Sequence, residues 1–219
     1  MNFYQQLQQA TAADRAELFA APIIGHALAG QVNRHQYVNF LTRAFHHVKH
    51  TVPLLMACGA RLPDTQEWLR CAVAHYIEEE IGHHEWVLND IAAAGSDAEV
   101  VRYSAPDRDT ELMVAYAYDT VMRGNPVGLL GMVYVLEGTS VSLACDIAAI
   151  LQKNLNLPAN AFTYLNSHGA LDIEHMGYFE KLINNLTDAK DQRCVIHSVR
   201  IFFHLYANVF RGIDLGVTP

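Results

Sequence analysis

Much that would point directly to a function is missing from this chain. It has 15 basic residues and no cluster of them, against 23 acidic residues, for a net charge of −8. The electrostatic attraction that dominates nucleic-acid binding is therefore absent, and anionic membrane surfaces are disfavoured for the same reason. Cysteine is sparse: Cys58, Cys71, Cys145 and Cys194 are scattered without a CxxC spacing. No disulfide framework can be read from them. Cys58, Cys71 and Cys145 sit in apolar helical sequence and read as free, buried thiols of a reducing cytoplasm. The opening MNFYQQLQQ has neither a basic nor an apolar leader segment, so a cytoplasmic location is expected. No internal repeat, low-complexity tract or linker is visible, and no convincing run of β-type alternation.

What is present is apolar sequence at helical spacing. Hydrophobic residues make up 51% of the 219 and charged residues 17%, enough to bury a substantial core. The pattern predicts one all-α domain over residues 1–219, with seven or eight helices joined by short connections. A short helix is expected near 12–20, followed by a turn at APIIG, and a long helix at about 34–58 that Pro53 should kink. The next is expected to start at Asp64, with Glu67 completing a capping box, and to run to about 93, with Gly95 just past its end. Asn125 and Pro126 have the cap and first-turn chemistry of a helix reaching about 153. Helices over 160–186 and 188–211 complete the chain. The stretch 128–151 is apolar enough to resemble a membrane span. It carries Glu137 and Asp146 and lacks basic flanks, so it reads as a buried helix of a soluble protein.

The twelve histidines are many for this length, and histidine is the commonest metal ligand. Polar groups enter apolar helical sequence at three places. In HYIEEEIGHHEW (75–86), Glu80 and His83 fall roughly 60° apart on a helix and can converge on one ion. This E-x-x-H pair is the unit of di-iron carboxylate bundles, although a run of glutamates is also the usual make-up of a solvated face. Glu78, Glu79, His84 and Glu85 are expected to point elsewhere. In YVLEGTS, Glu137 stands alone mid-helix, and a buried carboxylate must be protonated, hydrogen-bonded or metal-bound. Gly138 beside it would let another helix or a ligand approach closely. In HGALDIEH, His168, Asp172 and His175 form one stripe over two turns, which suits a transition metal or a water-facing polar edge. Together the three segments offer three carboxylates and three imidazoles. That set suits two iron ions, with manganese as a substitute, and leaves positions open for O2 or substrate.

These residues, and the span from FLTRAFHHVKHT to HSVRIFFHLYANVF, resemble the haem-oxygenase-like superfamily, which includes TenA/thiaminase II proteins and pyrroloquinoline-quinone synthase. The nearest branch is the haem-oxygenase-like di-iron oxidases. The resemblance implies a haem-oxygenase-like bundle with metal ligands at Glu80 (or its neighbour Glu79), His83, Glu137, His168, Asp172 and His175. Glu137 would be the central, catalytic bridge. Two Fe(II) ions and O2, and no haem, would oxidise a small organic molecule such as an amino acid or fatty acid. His46, His47 or His50 could line the pocket, with His47 and Tyr134 as outer partners of the ligands. A metal-free thiaminase-type hydrolase would instead need Cys145 partnered by a carboxylate. A true haem oxygenase would need His26 or His35 as proximal ligand, and a non-enzymatic helical module would need none of these. The substrate stays open, as does the assembly, for which a homodimer is the commonest form.

Overall fold

The computed structural model describes residues 1–216. Among them there are twelve α-helices and no strand. Three short helices begin the chain: α1 (Phe3–Ala10), α2 (Ala12–Phe19) and α3 (Pro22–Leu28). Next come α4 (Arg34–Val48), α5 (Thr51–Arg61), α6 (Glu67–Glu80), α7 (His83–Ala93), the short α8 (Ala98–Arg102) and α9 (Arg108–Met122). The three longest close it: α10 (Leu129–Leu155), α11 (Thr163–Asn184) and α12 (Ala189–Arg211).

The all-α architecture is as expected, but it has more segments than the hydrophobic periodicity indicates. Two of the expected long helices are each broken in two, at Lys49–His50 and at Ile81–Gly82. The APIIG segment opens α3, with Pro22 at its start, where the missing N–H costs nothing. Caps follow local chemistry elsewhere. Asn33 and Gln36 exchange two 2.9 Å bonds at the start of α4. Asn125 accepts from Val127 N, and Gly95 takes φ +77° after α7. The capping box expected at Asp64 does not form. No side chain caps α6, and Asp64 and Glu67 both face the Arg70 guanidinium instead.

α10 is the centre of the fold, packed against α11, α12, α3, α5 and α9. By length and composition alone it could cross a membrane, yet 61% of its apolar window is buried inside the protein. One continuous apolar core runs from Phe3 to Ile213. The cysteines are all free, but only Cys58 is buried; Cys71 and Cys145 are exposed and Cys194 is half-buried. Their helices present polar as well as apolar faces, which composition alone does not resolve.

Candidate metal centre

The last turn of α6 holds Glu78, Glu79 and Glu80 and no basic residue. Carboxylates at the negative end of a helix dipole are unfavourable by about 0.3–1 kcal/mol each. Glu78 is exposed, whereas Glu79 and Glu80 turn inward. Gly82 then takes φ +92°, a conformation that a residue without Cβ adopts cheaply. The chain restarts with His83 as the first residue of α7. Glu80 and His83 therefore belong to two helices, not to one continuous face. They still meet, with His83 Nδ1 3.2 Å from Glu80 Oε2.

α7 also anchors α11. The buried carboxylate of Asp90 accepts a 2.8 Å bond from Tyr164 N in the first turn of α11. The Tyr164 carbonyl in turn accepts from His168 Nδ1 at 3.0 Å. A carbonyl can only accept, so Nδ1 carries the proton and Nε2 keeps its lone pair. α11 lies close on α10, because a Cβ on Gly169 would stand only 3.1 Å from Cys145 N. This contact sets the register in which Glu137 faces α11. His175 Nδ1 is 3.3 Å from Asp172 Oδ1 and 3.7 Å from Glu137 Oε1.

Two groups result. Glu80, His83 and His168 form one, and Glu137, Asp172 and His175 the other. Within each, one potential ligand atom per residue lies within 4.8 Å of the others. Each of the six residues singled out in the sequence thus falls in one of the two groups.

The electrostatics of the two groups differ from residue to residue. Burial, with the charges of Asp172, Glu80 and Glu79, pushes the Glu137 carboxyl well above its ordinary pKa. Burial raises Glu80 too, but the hydrogen bond from His83 and the nearby imidazoles hold it below the ordinary value. His175 is raised by its contact with Asp172 and by Glu79 and Glu80, against burial. Burial lowers His168. Glu137 Oε2, Asp172 Oδ1, His175 Nδ1, Glu79 Oε2 and Tyr76 Oη are buried without a hydrogen-bond partner. Each orphan of this kind costs roughly 1–3 kcal/mol. One cation would satisfy several together, and mixed imidazole and carboxylate donors fit a first-row transition metal.

Comparison with known proteins agrees. A family described as iron-containing redox enzyme matches residues 38–207. The chain belongs to that family. No curated protein matches it. Among solved structures, a domain of unknown function with a haem-oxygenase-like fold from Shewanella denitrificans is 24% identical, with a TM-score of 0.85 over 97% of this chain and 92% of that one. A TenA homologue from Pseudomonas syringae is 12% identical, with a TM-score of 0.77 over 96% and 91%. The haem oxygenase-1 of the cyanobacterium Synechocystis, in complex with haem, is 14% identical, with a TM-score of 0.75 over 98% and 93%. The fold is haem-oxygenase-like.

In this family member the two groups stand beside a cavity of about 150 Å³. Glu80, Glu137, His168 and Asp172 line it on one side, and apolar residues such as Ile24, Val32, Phe40 and Leu151 line much of the rest. No lysine or arginine is among the lining residues. His47 lines it as well, with Nδ1 unpartnered. Burial and the neighbouring His168 hold its pKa down to about 3, so it is neutral. His46 and His50 are occupied elsewhere, by Ser104 Oγ at 2.9 Å and Tyr118 Oη at 3.1 Å.

Three expectations are corrected. Tyr134 does not reach the groups. It packs among Tyr4, Phe179 and Phe203 and, with Gly138, lines a separate cavity on the other side of α10. A Cβ on Gly138 would meet only the end of the Met176 side chain of α11, at 4.0 Å, so no backbone approaches closely there. Glu79, expected to point away, has Oε2 buried 3.2 Å from His175 Nε2. Tyr76 and Asp90 were not singled out in the sequence. Tyr76 shares the α6 face with Glu79 and Glu80, so helical spacing could have flagged it. Nothing local marks Asp90, whose partner is 74 residues away.

Proposed function

We propose that the protein is a non-haem di-iron oxidase or oxygenase that uses O2 to oxidise a small organic molecule. The observation carrying this reading is the pairing of two three-residue groups, each mixing carboxylate and imidazole, beside one largely apolar cavity. His83, His168 and His175 would serve as neutral nitrogen ligands, and Glu80 and Asp172 as terminal carboxylates. Glu137 feels the charges of both Asp172 and Glu80, and is the carboxylate suited to bridge the two positions. Bound iron supplies the electron-transfer chemistry with dioxygen that no side chain here provides.

The remaining residues shape the reaction. The Tyr164 carbonyl fixes the ring orientation of His168. The apolar lining excludes water and receives an apolar substrate body, with its reacting end toward Glu137 and Asp172. A long apolar chain suits that lining better than a small zwitterionic amino acid, whose two charges would be desolvated against apolar walls. His47, neutral and buried in the wall, offers the substrate a hydrogen bond.

The rival readings have less support. Cys145 is exposed, its sulfur packs against Gly169, and it does not line the cavity. Neither His26 nor His35 lines the cavity that a porphyrin would have to fill. The test is anaerobic Fe(II) reconstitution followed by rapid mixing with O2. Two iron ions per chain and a transient visible absorption band are expected. Stoichiometry below two, or no optical change on mixing, would overturn the reading.

A further inference from the structure

The structure holds one carboxylate more than two three-ligand groups need. Glu79 and Glu80 are consecutive, so on α6 their side chains diverge by about 100°. Both still face inward from the last turn of α6, but toward different groups. Glu80 Oε2 lies against His83 Nδ1, and Glu79 Oε2 lies against His175 Nε2, at 3.2 Å in each case.

The side of His175 on which Glu79 sits decides its role. His175 Nδ1 faces Asp172 and Glu137, at 3.3 and 3.7 Å. Nε2 is the ring's other nitrogen and points away from them, toward Glu79. An ion held among Glu137, Asp172 and His175 takes the Nδ1 lone pair, which leaves the ring proton on Nε2. Glu79 Oε2 is buried and unpartnered, so a slight turn of either side chain makes it the acceptor for that proton. A carboxylate behind a ligating histidine fixes its tautomer and orientation and makes it a better donor.

We propose, building on the di-iron reading above, that Glu79 is a positioning residue: it holds His175 through Nε2–H and is not itself a ligand, whereas Glu80 is one. The two neighbouring glutamates thus divide the work, one inside the coordination sphere and one behind it. The side chain of Glu79 is 32% exposed, so this outer support stands at the boundary between the centre and solvent.

Anaerobic Fe(II) titration of the full chain, in competition with a chromophoric chelator, tests this in wild type, E79A, E79Q and E80A. E79A is expected to keep two ions, one of them bound 10- to 100-fold more weakly. E79Q keeps a carbonyl oxygen that can accept from Nε2–H, so its affinity should return close to wild type. E80A is expected to hold only one ion. Melting of each apo-variant confirms that the fold is retained. The proposal is overturned if E79A loses an ion outright as E80A does, if E79A titrates like wild type, or if E79Q fails to rescue. Failure of the wild type itself to take up two ions is a different result, and it removes the di-iron reading together with this one.

Discussion

The two three-residue groups are built on opposite plans. Glu80, His83 and His168 assemble across a helix break, and much of their polarity is already satisfied. His83 bonds Glu80, and His168 bonds the Tyr164 carbonyl. Glu137, Asp172 and His175 sit on two unbroken helices, all buried, and each has an unpartnered atom. The first group rests at low cost without an ion. The second crowds two carboxylates and an imidazole into a dry place, where a cation would relieve them. One half of the centre is pre-satisfied and the other is held in tension by the packing of α10 on α11.

The sharpest way to break this contrast is Glu137→Leu. Removing the central carboxylate should abolish O2-dependent turnover and leave at most one ion bound. The same change should stabilise the apo-protein, because a desolvated, repelled carboxylate gives way to an apolar side chain in a core helix. A gain of roughly 1–3 kcal/mol follows from the cost of such a group, or about 2–4 °C in Tm for each kcal/mol at this size. Thermal melting of metal-free protein checks it. A clear loss of apo-stability would show that Glu137 has a structural partner and that the second group carries no tension.

Glu80→Ala should do the reverse. Glu80 is held ionised by His83, so its removal leaves a buried imidazole without its partner. The apo-protein should lose about 1–2 kcal/mol. Opposite signs for these two carboxylates, 57 residues apart in the sequence, would sharpen the comparison. Equal signs would erase it.

How much of this was legible in the sequence follows from which distances are local. The i, i+3 and i+4 spacings within 168–175 depend only on helix geometry; of the two readings left open for the stripe, burial rules out the water-facing edge for Asp172 and His175, and His168 and Asp172 line the cavity. Asn125 and Gly95 act at helix ends as their chemistry dictates. The break at Ile81–Gly82 was missed because the apolar periodicity continues through it. Glu79 was misplaced for another reason: it lies before the break, about 100° from Glu80 on α6, and local spacing does not show that His175 of α11 meets it there. Tyr134 failed for a different reason. Its nearness to Glu137 along α10 says nothing about which neighbouring helix each residue meets. The Asp90–Tyr164 bond and the Gly169–Cys145 approach are tertiary facts, invisible to local spacing.

A smaller effect separates the cavity wall from the two groups. His47 is buried and neutral, with a folded pKa of about 3 against an ordinary 6.5. The unfolded chain therefore takes up this proton first as pH falls. The contribution of His47 to stability is complete above 6.5 and is lost as pH drops toward 3, at about 1.4 kcal/mol per unit. Denaturant melts of apo-protein at stepped pH should show this slope, and His47→Leu should flatten it. A slope unchanged in that variant would assign the acid lability to the other histidines that burial holds down, His46, His50 and His168.

The smallest expected change tests the break that builds the first group. A Cβ at Gly82 would meet nothing within 4 Å, so Gly82→Ala introduces backbone strain and no clash. At φ +92° that strain should cost about 1–2 kcal/mol. If the turn relaxes to relieve it, Glu80 and His83 move apart while Glu137, Asp172 and His175 keep their places on α10 and α11. Iron titration of the variant should then show one site weakened and the other unaffected. Equal weakening of both would mean that the two groups share more of their support than their separate helices indicate.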